Sequence, residues 1–256
     1  MKQYDFNDFM NIIRQLRSEN GCPWDREQTH ESLKPCVIEE CYEVVEAIEH
    51  NDIPNLREEL GDVLLQVALH SAIGEEQNEF SIDEVIQEVS EKMIRRHPHV
   101  FGDVLVEDAN GVVRNWDEIK KQEKQEKTVS ESIIKVPRAL PATIRAAKVQ
   151  KKAAKVGIDF ESYDQVFSKV YDKLKELKNA KDSGELNRID DIFGDLLFLM
   201  VNLSRFLQLN AENSLTNATD KFINRFVGIE HIAHDEGKDL IEMSVDELNA
   251  LWGQVE

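Results

Sequence analysis

Glu39, Glu40 and Glu43 stand in the stretch "VIEECYEVVEAIEH" (Val37 to His50), and Glu59 and Asp62 follow in "REELGDVLLQV". On an α-helix, EExxE puts three carboxylates on one arc and ExxD puts two on another. Like charges at these spacings repel by roughly a few tenths of a kcal/mol per pair. A desolvated cluster of this kind calls for cations. Carboxylate oxygens suit Mg²⁺, with Mn²⁺ as an alternative, and Mg²⁺ often combines carboxylates with substrate phosphates. A carboxylate-bridged di-metal bundle is the less favoured alternative, because di-iron bundles use Glu-x-x-His where this chain has Glu40/Glu43 and Glu59/Asp62. A merely solvated acidic face is the natural reading of Glu46 and Glu49, and of any single ExxE taken alone.

The apolar rhythm around the acids predicts how they are positioned. Val37, Cys41, Val44 and Ile48 form one expected core face, and Leu56, Leu60, Val63 and Val67 another. Two helices packed antiparallel along these faces would bring all five carboxylates to the edge of one core. Phe6, Phe9, Met10, Ile13 and Leu16 predict a preceding helix that stops at "ENG". A compact loop, "GCPWDREQTH", is expected next. Pro54 suits the first turn of a helix over residues 53–74, and Ser81 with Glu84 has capping-box spacing for a helix reaching about residue 97. "HPHVFGDVLVEDANGVV" breaks the pattern, with an irregular loop favoured over a hairpin at Asn110-Gly111. "VVRNWDEIKKQEKQEK" would form a helix, and further helices are expected over 139–154, 162–179, 186–209 and 214–234.

An internal repeat organises the chain. Gly61-Asp62 in "GDVLL" matches Gly194-Asp195 in "GDLLF", 133 positions on (195 − 62), without a gap through two helices. "KMIRRH" (Lys92 to His97) resembles "KFINRF" (Lys221 to Phe226), and Trp116 pairs with Trp252. The expected fold is therefore all-α, a tandem pair of four-helix-bundle domains over residues 1–127 and 138–256, joined by a linker at 128–137. With 41% hydrophobic residues among 256, the chain can build such cores. A net charge of −19 excludes a nucleic-acid surface but admits a small polyphosphate bridged by a cation. The apolar runs are too short for a bilayer, no signal-peptide core opens the chain, and Cys22, Cys36 and Cys41 lack CxxC spacing. A cytoplasmic protein with reduced thiols is expected.

"GCPWDREQTH", "EECYE", "ELGD", "RRHPHVFGD" and "NWDEIK", in this order and followed by a second copy, resemble the MazG family of nucleoside triphosphate pyrophosphohydrolases in its two-domain form. The resemblance covers nearly the whole chain, and its EExxE/ExxD motif falls on Glu39, Glu40, Glu43, Glu59 and Asp62. It implies hydrolysis of an NTP or dNTP between the α- and β-phosphates, broad base preference and a homodimer. Mg²⁺ on the five acids would neutralise the triphosphate and polarise phosphorus, and a carboxylate (Glu40 or Glu43) or a metal-bound hydroxide would activate water. Lys92 and Arg96, at i and i+4, suit a phosphate clamp. Trp24 and Trp116 can stack on a base, although a core role is favoured for each. His30, His50 and His70 read as surface or packing residues.

In the second copy the five positions are Asp172, Lys173, Glu176, Ile192 and Asp195. Three acids and an ammonium replace five acids, so impaired metal binding is expected, with Lys173 standing in for a cation. Asp172, Glu176, Asp195, Lys221, Arg225 and Trp252 remain candidates for nucleotide binding there. The competing reading of the whole protein is a nucleotide-binding or dimerisation scaffold without catalysis.

Overall fold

Asp5 opens the first helix, α1 (Phe6–Arg17), through a capping box with Asp8. In the computed structural model, which describes residues 2–106, 108–123 and 128–255, every regular element is helical and no described residue lies in a strand. The expected all-α class holds. The chain divides into two compact units, Met1–Glu123 and Lys124–Glu256.

In the first unit, α2 (Pro23–Glu27) sits inside the stretch expected as a plain loop, with Pro23 at its first turn. α3 (Lys34–Glu49) and α4 (Ile53–Gln77) then form an antiparallel hairpin. Asn51 turns the chain in the left-handed region (φ 54), and the Asp52 carboxylate accepts from the Asn55 N–H at 3.1 Å to cap α4. α4 ends at the left-handed Asn78. The predicted capping box of Ser81 and Glu84 starts α5 (Ile82–Arg96).

Met10, Ile13, Leu33, Ala68, Leu69, Ala72, Ile73 and Ile82 make the buried core. It therefore lies along the C-terminal half of α4, where α1 covers it. Arg17 pins this arrangement, donating from Nε and Nη2 to the Glu76 carboxylate at 2.8 Å each, and from Nη1 to the carbonyls of Asp25 and Gln28. This corrects the expected core faces of the hairpin. Cys41, Ile48, Leu60 and Val67 are exposed, Val37, Val44, Leu56 and Val63 are half-buried, and Ala47 is the buried residue of α3. The apolar pattern is real, but α1 is too short to reach over both halves of a 25-residue helix.

α6 (Pro98–Phe101) and α7 (Ala109–Glu123) complete the unit. Asn110-Gly111 is thus neither loop nor hairpin but the first turn of α7, where the Gly111 N–H donates to the Asp108 carboxylate at 2.7 Å. The last part of the helix expected here, residues 124–127, lies outside the described residues.

The second unit contains α8 (Val129–Ile134), α9 (Ala142–Ala154), α10 (Tyr163–Ser183), α11 (Leu186–Phe206), α12 (Ala211–Asp235), a 3₁₀ turn (Leu240–Glu242) and α13 (Val245–Trp252). α8 falls within the segment expected as a linker and packs on α9. α10 and α11 form a hairpin like that of α3 and α4, turned at Gly184 (φ 74). Among the described residues no single helix is long and apolar enough to cross a membrane.

Candidate functional site

The acid stripes of α3 and α4 run side by side in opposite directions. Carboxylate oxygens of Glu40, Glu43 and Glu59 lie within 4.8 Å of one another, and all three side chains are half-buried. Desolvation pushes the Glu40 carboxyl above its usual range, reinforced by Asp62, Glu43 and Glu59. Desolvation also raises Glu59, with Glu43, Asp62 and Glu58 adding to it. Asp62 is half-buried and close enough to perturb both, yet outside the three-carboxylate group. Glu39 is exposed and also outside it, as are the solvent-facing Glu46 and Glu49.

None of the five motif acids forms an ion pair with a described residue. A desolvated group of hard oxygen donors, ion-paired to no cation among the described residues, fits a divalent ion of the Mg²⁺ or Mn²⁺ type. The donor set contains no histidine, which sets it apart from the di-iron arrangement.

The other predicted residues lie differently. Arg96 is tied down, donating from Nε and Nη2 to Glu123 of α7 at 2.9 and 2.6 Å, and Arg95 donates to the same carboxylate at 2.6 Å. The two guanidiniums hold the Glu123 carboxyl below its usual range, Arg96 first. Lys92, one turn earlier, is half-buried and forms no ion pair with a described residue. Neither Lys92 nor Arg96 is ion-paired to the acid group. Trp24 is 59% exposed on α2, so it is not the core plug favoured from the sequence. Trp116 is half-buried on α7, with its ring centroid 5.8 Å from that of His97 and Lys120 Nζ 4.3 Å above it. Its Nε1–H is buried without a partner, as is His99 Nδ1.

Along the same hairpin, beyond the acids, lies a cavity of about 230 Å³ lined by Val37, Val63, Gln66, Val67, His70, Ser71, Phe80 and Val85. Gly74 helps shape it, because a Cβ there would sit 2.8 Å from the Phe80 ring. Sequence reasoning passed over it, although a glutamine and a histidine inside the apolar run "VLLQVALHSAIG" were a visible signal. His70 packs parallel to His30 with centroids 5.0 Å apart and Nδ1 atoms 2.7 Å apart. Burial, with His30 next, holds His70 below the usual imidazole range.

In the second unit Lys173 Nζ lies 3.0 Å from both Glu176 and Asp195. Arg188 adds a contact of 3.3 Å to Glu176. Ile192, at the position matching Glu59, is buried. Asp172 is 61% exposed. Arg225 lies over the Trp252 ring at 4.5 Å and donates from Nε to the Trp252 carbonyl at 3.0 Å, while Lys221 is exposed. The Lys173 ammonium thus lies between Glu176 and Asp195 and leaves Asp172 aside.

The geometry agrees with what the chain is similar to. Residues 28–101 match the MazG nucleotide pyrophosphohydrolase domain. The nucleoside triphosphate pyrophosphohydrolase/pyrophosphatase MazG of Thermotoga maritima is 45% identical over 96% of this chain and 94% of its own length. The nucleoside triphosphate pyrophosphohydrolase of Escherichia coli is 37% identical over 96% of this chain and 95% of its own. The uncharacterized protein YabN of Bacillus subtilis is 48% identical over 98% of this chain, which spans 51% of that longer protein. Full-length likeness at these identities means that the chain belongs to the MazG family of nucleoside triphosphate pyrophosphohydrolases.

Proposed function

We propose that the first unit hydrolyses nucleoside and deoxynucleoside triphosphates between the α- and β-phosphates, releasing the monophosphate and pyrophosphate, with broad tolerance of the base. The observation that carries this is the convergence of Glu40, Glu43 and Glu59 within 4.8 Å in a chain of this family. Glu39 and Asp62 complete the donor set from the same two helices, Asp62 half-buried at its edge and Glu39 from solvent. A divalent cation held there, Mg²⁺ by preference or Mn²⁺, would neutralise phosphate charge and make the phosphorus more electrophilic. Glu40 or Glu43 takes the proton of the attacking water, both being half-buried members of the three-carboxylate group. Lys92 contacts phosphate oxygens. Arg96 joins it only where phosphate competes with Glu123. Trp24 and Trp116 are the aromatic candidates for contact with the nucleotide.

The second copy, residues 138–256 behind a connection at 128–137, keeps Asp172, Glu176 and Asp195 but bridges Glu176 and Asp195 with Lys173 in the place of a metal, so it does not turn over substrate. Lys221, Arg225 and Trp252 leave it a weak candidate for nucleotide binding. We place the protein in the cytoplasm and expect a homodimer, since the α3–α4 hairpin leaves Ile38, Tyr42, Leu60 and Leu64 exposed.

Pyrophosphate release from a mixture of dNTPs, with and without Mg²⁺, tests the reading. The wild type should release it only with the metal. Glu40→Gln/Glu43→Gln should lose at least about a hundredfold, since even groups supporting a metal's ligands are worth 10–100-fold, and Asp195→Asn should lose little. Release that survives Glu40→Gln/Glu43→Gln but falls with Asp195→Asn would assign catalysis to the other unit.

A further inference from the structure

The acid stripes and the cavity follow one another along the same two helices. On α4, Asp62 and Gln66 are four residues apart on the same face, about 6 Å along the axis. On α3, Glu40 and Val37 are three apart, about 4.5 Å. Because the helices are antiparallel, both steps lead away from the carboxylates into the same cavity. Val37, Val63, Val67, Phe80 and Val85 make its walls apolar. At about 230 Å³ it is smaller than the roughly 300–1,000 Å³ of pockets that take drug-sized ligands. It suits one flat ring system whose polar appendage lies outside, on the side of the acids.

Gln66 is the anomaly in this wall. Its side chain is 6% exposed, yet its Oε1 is buried without a hydrogen-bond partner. Buried polar groups are nearly always satisfied, and an orphan one costs stability. A residue that served only the core would be apolar here, as its neighbours in "VLLQVAL", all valine, leucine or alanine, are.

We infer that this cavity receives the nucleobase of the substrate and that Gln66 is a specificity-determining residue, its amide pairing with the polar edge of the base. The inference rests on the pyrophosphohydrolase reading for the orientation of the ligand. An amide carries both a donor and an acceptor. By turning about its last bond it can meet either pattern, so a single glutamine in a valine-walled slot pairs with more than one base. Neutral His70 beside it adds no charge to the slot.

The test compares wild type, Gln66→Leu and Gln66→Met on dATP, dGTP, dCTP and dTTP, with inorganic tripolyphosphate as a substrate that has no base. Expected is a rise in KM of about tenfold for at least one dNTP, about 1.4 kcal/mol, with kcat within about twofold of wild type and tripolyphosphate unaffected. Without nucleotide or metal, both variants should melt above wild type, because the orphan amide is gone. Unchanged KM for all four dNTPs with a raised Tm would make Gln66 an unsatisfied core residue and overturn the inference. An equal loss on tripolyphosphate would overturn it too, by showing that the damage reaches the acids. If wild type releases no pyrophosphate, the functional reading fails separately. Thermal shifts by dNTP against tripolyphosphate then decide the cavity, a base-dependent shift lost in Gln66→Leu supporting it and an identical shift refuting it.

Discussion

Lys173 and Glu40 occupy the same position in two copies of one helix, and their environments differ by a whole charge sign. In the first unit Glu40 is desolvated among acids and forms no ion pair with a described residue. In the second, Lys173 holds Glu176 and Asp195 at 3.0 Å each. Their hydrogen bonds raise the ammonium's pKa above its usual range, Asp195 contributing most, and Lys173 in turn keeps Glu176 below its own. Lys173→Met removes the internal cation and leaves the acids of α10 and α11 facing one another. The variant should melt below wild type in EDTA at neutral pH, by a small margin because these side chains are open to solvent. It should also gain a Mg²⁺-dependent rise in Tm larger than wild type's. A variant whose Tm responds to Mg²⁺ no more than wild type's would mean that Lys173 holds the hairpin together rather than replacing a metal.

At the scale of elements, Glu75 joins three helices. It accepts from Arg14 Nε of α1 at 2.8 Å and from the Ile82 N–H at the start of α5 at 3.3 Å. Arg14 draws its carboxyl below the usual range. An unfolded glutamate titrates near 4.3, so this contribution is complete above that pH and disappears as pH falls through the depressed folded value. Arg14→Gln should therefore cost about 0.5–1 kcal/mol at pH 7, a modest figure because the guanidinium is 44% exposed. The gap from wild type in urea midpoints should close in acid. A gap that persists there would assign Arg14's effect to packing. These contacts also explain what the sequence could and could not reveal. Local signals located α1, α4 and α5, because caps such as Ser81/Glu84 and the 3.6-residue rhythm are written in adjacent residues. The acid group was legible for the same reason. Which half of α4 is core was not, since that depends on how far α1 reaches across it. Nor was the Arg96–Glu123 pair, which spans 27 positions, or the cavity at Gln66, which exists only once α3, α4, Phe80 and α5 meet.

For the whole molecule, the repeat extends to the surface as well as the site. α4 exposes Leu60, Leu64 and Val67 at 53%, 41% and 40%, and α11 exposes Phe193, Leu197 and Met200 at the matching positions at 48%, 53% and 47%. Each stripe contains a glycine, Gly61 and Gly194, where an added Cβ would meet nothing within 4 Å. A glycine inside a helix costs roughly 0.5–1 kcal/mol relative to alanine, and neither unit taken by itself shows a contact that requires one. A second copy of the chain packed backbone-close against this stripe, as the proposed homodimer requires, would supply the reason and would cover apolar surface that a lone protein rarely leaves contiguous. Gly61→Ala separates the two cases by the sign of its effect. If the stripe is covered, the methyl group should loosen the dimer, seen as a concentration-dependent fall in sedimentation coefficient, and lower the Tm. If the stripe is bare, the same change should leave the mass unaltered and stabilise the protein by about 0.5–1 kcal/mol through helix propensity alone.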